Sequence, residues 1–133
     1  MDVITVIYVL SALHPKEFDQ AIHNLYAVSL SLHMFTTNMK ALKPGGTLFI
    51  RDYGRHDLAQ LRIKKERLLD PAYPGLYIRG DGTRVYFFPK KELEDLVTAP
   101  PRGKEGAMFK IEDSGEDRRM VRHCLYRWVV LIR

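Results

Sequence analysis

Arg51, Asp52 and Tyr53 follow directly on the apolar run Thr47 to Ile50, and that placement marks them as candidates for chemistry. In open α/β sheets the carboxyl ends of the strands carry the ligand-facing groups. Here such an end delivers a cation, a carboxylate and a phenol in succession. Ser11 and His14 follow a β-branched run in the same way, and Arg79, Asp81, Thr83 and Arg84 crowd around the turn Gly80-Asp-Gly82. Arginine forks pair with phosphate, and Tyr77 or Phe87 could stack on a base, although aromatics in strands also pack against a core. Competing chemistries lack their residues. His14, His23, His33, His56 and His123 are scattered without metal-ligand spacing, and Ser11 has no nucleophile-elbow glycines. Gly45-Gly46 precedes a strand instead of opening a helix, so it is not a phosphate cradle.

The elements that must position these groups are legible from periodicity. Asp2 to Leu10 is nearly all β-branched, aromatic or apolar, which predicts a strand covered on both faces. Pro15 suits the first turn of a helix, and Phe18, Ile22, Leu25, Val28, Leu32, Phe35, Met39 and Leu42 give one apolar stripe, weakened at Thr36-Thr-Asn38. Pro44-Gly-Gly46 ends that helix and leads into the Thr47 strand. Arg55 to Leu69 has the pattern of a charged helix with Leu58, Leu61 and Leu68 on one face; its basic group Arg62, Lys64, Lys65 and Arg67 is either a solvated face or a nucleic-acid contact. Tyr77 to Phe88 predicts a hairpin, Lys90 to Val97 a short helix with Leu93 and Leu96 inward, and Ala99 to Gly106 a surface loop. A strand over Phe109 to Asp113 and a final antiparallel strand at the sheet edge, within Met120 to Arg133, complete the chain.

At 133 residues the chain suits one domain, which buries about two-thirds of its unfolded surface. A net charge of +5 favours an anionic partner without naming it. Cys124 is the single cysteine, so no intrachain disulfide exists; it is expected as a core residue of an intracellular protein. No apolar run is long enough to cross a bilayer, and no leader pattern is present at the amino terminus, so neither a membrane nor a secretory role is expected.

Three blocks in a fixed order say more than periodicity does. Val9-Leu-Ser-Ala-Leu-His-Pro15, Leu42-Lys-Pro-Gly-Gly-Thr-Leu-Phe-Ile-Arg-Asp-Tyr-Gly54 and Gly80-Asp-Gly-Thr-Arg-Val-Tyr-Phe-Phe88 closely resemble the carboxyl-terminal half of the tRNA 3-methylcytidine methyltransferases. These are class I enzymes dependent on S-adenosyl-L-methionine. Leu42 to Thr47 alone is common to many class I methyltransferases; its continuation into Arg51-Asp-Tyr-Gly54 is far more specific. Asp117-Arg-Arg119 and Leu125-Tyr-Arg127 resemble the last segment of the family.

The resemblance implies an α/β fold with a partial class I methyltransferase (Rossmann-like) sheet, in which Val3 to Leu10 is the fourth strand and Thr47 to Ile50 the fifth. It implies that Ile7, Leu10 and Ser11 border the cofactor, and that Arg51, Asp52 and Tyr53 flank the target base as the catalytic group. Tyr53 would stack on cytosine, Arg51 would support the base carbonyl or a phosphate, and Asp52 would orient Arg51 or the exocyclic amine. His14, Arg79, Asp81, Thr83 and Arg84 would shape the RNA-facing side. The implied reaction is attack by cytosine N3 on the methyl of S-adenosylmethionine in a tRNA anticodon loop, without metal. The implied partner is tRNA, with an aminoacyl-tRNA synthetase as a candidate protein partner and neither DNA nor membrane. Cytoplasm is the default compartment, with mitochondria the alternative.

Departures from the family shape the remaining expectations. Residues 1–133 correspond to the carboxyl-terminal part of a methyltransferase domain, lacking the first three strands and the cofactor glycine loop, with an insertion at 27–38. The isolated chain is therefore expected to bind S-adenosylmethionine poorly and to turn over negligibly. A non-catalytic tRNA- or protein-binding remnant, and one half of a complemented enzyme, are the alternatives.

Overall fold

The computed structural model describes residues 3–30, 46–100, 109–121 and 123–132. Strand β1 (Val3–Ile7) runs parallel to β2 (Thr47–Tyr53), in register from Val3↔Thr47 to Ile7↔Arg51. Parallel strands need a crossover, and α1 (Pro15–Leu30) begins it. Pro15 lacks only an N–H that the first turn would leave unbonded anyway. His14 and Glu17 cap that turn reciprocally: the Lys16 N–H donates to His14 Nδ1 at 3.2 Å, and the His14 N–H donates to Glu17 Oε2 at 2.7 Å.

Downstream come α2 (Leu58–Arg62), a hairpin of β3 (Leu76–Ile78) and β4 (Arg84–Tyr86), and α3 (Lys90–Thr98). A longer hairpin of β5 (Ile111–Val121) and β6 (His123–Ile132) follows. The main sheet has the order β1-β2-β6-β5, with β6 antiparallel to both neighbours, and β3-β4 stand apart. The α/β class and the partly parallel sheet agree with the partial Rossmann-like sheet expected.

Burial along β2 alternates: Leu48, Ile50 and Asp52 are buried, whereas Thr47, Phe49, Arg51 and Tyr53 are half-buried. The first set faces Phe18 and Ile22 of α1 and shares a core with Val6, Leu10, Leu76, Phe88, Leu93 and Val97. Fully burying each of these aliphatic and aromatic side chains contributes about 1.5–3 kcal/mol. Phe18 meets Tyr86 and Phe88 at ring-centroid distances of 5.2 and 5.0 Å, fastening the small hairpin to α1.

Four expectations need correction. β1 is covered on one face only; Val3 and Ile7 are about half exposed, at 53% and 47%, and the strand lies at the sheet edge. It stops at Ile7 because Tyr8 adopts φ 56, after which Leu10–Ala12 form a 3-10 turn. The charged helix expected over Arg55 to Leu69 is only α2 plus a 3-10 turn at Lys65–Arg67, neither with a buried residue. With no fully buried residue to hold one continuous helix, Ile63 and Lys64 turn extended, and Leu68 bridges to Tyr77 instead. The last strand, β6, is interior, while β5 takes the edge and runs beyond Asp113. An edge strand tolerates polar residues such as exposed Glu112 and Asp113, which lets β5 continue past the Asp113 end expected.

The insertion beyond Leu30, the apolar stripe beyond it, the turn before Gly46 and the loop at 101–106 lie outside the described residues, as does the side chain of Cys124. Among the described residues no helix is long and apolar enough to cross a membrane.

Candidate functional site

Because Ile7 is in register with Arg51, the open face at the carboxyl ends of β1 and β2 presents Ile7, Arg51 and Tyr53 together. The small hairpin closes one side of it. The Phe88 N–H donates to the Tyr53 carbonyl at 2.9 Å, and the Arg55 N–H donates to the Phe88 carbonyl at 3.0 Å, so the end of β2 is bonded to the exit of β4. Tyr77 and Phe87 lie on one face of the hairpin, and Phe87 reaches Tyr53 at 5.8 Å and Tyr77 at 5.9 Å.

Tyr53 is the hub of this arrangement. Its ring packs on Tyr8 at 4.7 Å with a 32° tilt, and the Arg79 guanidinium lies over it at 5.3 Å. Tyr8 reaches this position through its left-handed φ, supported by an N–H that donates to the Arg51 carbonyl at 2.9 Å. Sequence reasoning missed Tyr8. An aromatic ending a strand was visible, but the backbone turn that swings it onto Tyr53 was not.

Asp52 has a different task from the one expected. Its side chain is fully buried on the opposite face of β2 from Arg51, where Oδ2 accepts from the Ser11 N–H at 3.0 Å and Oδ1 from the Tyr53 N–H at 2.9 Å. Burial pushes its carboxyl above the ordinary value, while hydrogen bonds from the Ser11 side chain and from the backbone of Ser11, Tyr53 and Leu10 pull it back. Asp52 therefore ties the end of β2 to the turn after β1 and is a positioning residue, not a partner of Arg51.

The other expected site residues divide between site and scaffold. Ile7 offers exposed surface, whereas Leu10 is in the core and Ser11 is buried with its N–H committed to Asp52. His14 caps α1 and stands edge-on to Tyr73 at 5.3 Å. Asp81 shapes its own turn, Oδ1 accepting from the Thr83 N–H at 2.9 Å and hydroxyl at 2.7 Å, bonds that hold its carboxyl below the usual range. Gly82, at φ +84, completes the turn where a Cβ would be strained. Arg84 points to α1, with Nη1 3.8 Å from Glu17 Oε2, so it does not join Arg79 at Tyr53. Of the expected residues, Ile7, Arg51, Tyr53 and Arg79 come together.

No family model matches the chain. Individual proteins do. Over 121 residues, 91% of this chain, it is 44% identical to the tRNA N(3)-methylcytidine methyltransferase of Schizosaccharomyces pombe. It is 48% identical over 99 residues to a tRNA N(3)-cytidine methyltransferase of Danio rerio, and 40% identical over 121 residues to the tRNA(Thr) (cytosine(32)-N(3))-methyltransferase of Saccharomyces cerevisiae. The chain is homologous to part of the tRNA N(3)-cytidine methyltransferases. It spans 32%, 24% and 16% of the lengths of these three relatives. The fold agrees: a SAM-dependent methyltransferase from Methanosarcina mazei superposes with a TM-score of 0.63 at 20% identity, covering 99% of this chain and 58% of that one.

The Methanosarcina mazei neighbour is named as SAM-dependent, and the open face bears on whether such a cofactor fits here. Val3, Thr5 and Ile7 make a mostly apolar open wall beside Arg51, and Asp52 and Asp57, the carboxylates nearest Arg51 in sequence, are buried. That wall suits an apolar part of a nucleoside cofactor. It does not make a complete cofactor site, which also needs polar groups for a ribose and an amino acid.

Proposed function

We propose that this chain supplies the target-base side of a tRNA cytidine-N3 methyltransferase, and that Tyr53 and Arg51 hold the base. The observation that carries this is the placement of both side chains on the open face at the end of β2, with Tyr53 fixed by Tyr8 and Arg79. S-adenosylmethionine, when bound, supplies the electrophilic methyl. Cytosine N3 already holds an in-plane lone pair, so no proton has to leave before the N–C bond forms. The protein's task is alignment in a site with little water. Arg51, a permanent cation with a planar fork, suits the base carbonyl or the adjoining phosphate. A base meets Tyr53 at its ring edge, or stacks on it by displacing the guanidinium of Arg79. Asp52 acts through the backbone of Ser11 and Tyr53, not on the substrate.

Binding of two anticodon stem-loop RNAs, differing only by cytidine or uridine at the target position, tests the assignment. The expected result is tighter binding of the cytidine form, with the preference lost in Tyr53→Ala. Equal affinity for both RNAs in the unaltered protein would refute it. A second reading, one half of a complemented enzyme, is favoured by β1 standing at the sheet edge, where further strands can be added, with Val3 and Ile7 on the strand and Val9 just beyond it exposed.

A further inference from the structure

The segment from the last residue of α2 onward carries Arg62, Lys64, Lys65 and Arg67 against the single carboxylate Glu66, and all five side chains are exposed. Neither α2 nor the 3-10 turn at Lys65–Arg67 buries a residue, so core packing does not explain the composition of this segment. Among the described residues none of the four cations has a salt-bridge partner, although Arg84 and Lys90 have theirs in Glu17 and Glu94.

The segment is nevertheless fixed relative to Tyr53. Asp57 caps α2 through Oδ1, which accepts from the Ala59 N–H at 2.7 Å. At the other end, Leu68 bridges to Tyr77 and the Leu69 N–H donates to the Leu76 carbonyl at 2.9 Å. Arg67 reaches the hairpin turn, with Nη1 3.6 Å from where a Cβ on Gly80 would lie. Gly80 adjoins Arg79, whose guanidinium covers Tyr53. A line of cations thus runs from the outer segment through Arg67 and Arg79 to the base-holding ring.

Resting on the function proposed for Tyr53, we infer that Arg62, Lys64, Lys65 and Arg67 form a track for the RNA backbone, binding phosphates of the nucleotides that flank the target base. Exposed cations that have no salt-bridge partner among the described residues, on a surface anchored at both ends, suit this role, because phosphate binding gains from the release of counterions and needs no buried geometry. The track contributes affinity and register. Base identity is left to Arg51 and Tyr53.

The test is the salt dependence of binding of the same two stem-loop RNAs, between 50 and 200 mM monovalent salt, about the range over which such contacts are read. Three proteins are compared: the unaltered chain, Arg62→Gln/Lys64→Gln/Lys65→Gln, and a control of equal charge loss, Lys16→Gln/Lys91→Gln/Lys110→Gln. All six positions are exposed. If each lost cation meets one phosphate, the slope of log K against log salt falls by about 2–3 in the first variant and stays near that of the unaltered chain in the control. Equal losses in both variants, or a slope unchanged in both, would overturn the track, as would a chain that binds neither RNA. A track-dependent slope without cytidine preference would uphold the track and sink the base assignment; cytidine preference with an unchanged slope would do the reverse.

Discussion

Replacing Asp52 by Asn separates a buried tether from a catalytic carboxylate. The native carboxylate accepts from two backbone N–H groups, Ser11 at 3.0 Å and Tyr53 at 2.9 Å. Asn retains one acceptor and turns an NH2 toward the other N–H, leaving one buried donor unpaired at a cost of about 1–3 kcal/mol. Removing the charge works the other way, since the native carboxyl is held above its ordinary value of 3.8 by burial. Linkage gives the sign. A folded-state value above the unfolded one means the native protein binds more protons between the two, so Asp52 contributes stability that is fully present below pH 3.8 and is lost as pH rises through the raised value. The Asn variant lacks that dependence. Its deficit in urea unfolding should therefore be largest near pH 4 and shrink toward neutrality. Were Asp52 instead ion-paired with Arg51, its carboxyl would be lowered and the deficit would grow with pH. A growing deficit would refute the dominance of burial over the hydrogen bonds at Asp52, and a variant as stable as the parent at every pH would refute the tether.

Two other outcomes follow from the same geometry. A Cβ on Gly75 would lie 2.8 Å from the Phe87 carbonyl oxygen and 3.1 Å from the Tyr86 ring, so Gly75→Ala should cost about 1–3 kcal/mol of stability by urea titration and move the small hairpin away from Tyr53; wild-type stability would show that the hairpin yields freely. By calorimetry, S-adenosylmethionine should show no saturable one-to-one binding to the chain alone, since the open face provides only a mostly apolar wall, and should bind when a second chain completes the β1 edge. Saturable binding without a second chain would show that these residues suffice.

Local pattern carried the elements whose burial matches their own periodicity. Phe18 and Ile22 at helical spacing, Leu48 and Ile50 in alternation, and Leu93 on α3 are buried as expected, because an apolar stripe has one place to go. The Gly80-Asp-Gly82 turn was legible for a similar reason, since its chemistry is contained within a few residues. The segment from Arg55 to Leu69 was not. Its leucines are correctly spaced for a helix, but none of them is fully buried, and Leu61 remains 66% exposed.

The order Arg51-Asp52-Tyr53 at a strand end was determined by sequence. Only the tertiary structure decided which of those residues faces the site. Strand alternation sends Arg51 and Tyr53 to the open face and Asp52 into the core, but the covered face is chosen by the packing of α1 against β1 and β2. The left-handed Tyr8, the separation of Arg79 from Arg84 and the anchoring of the basic segment to β3 were likewise decided in three dimensions. Each depends on contacts between residues far apart in the chain, whose energies a local pattern does not contain.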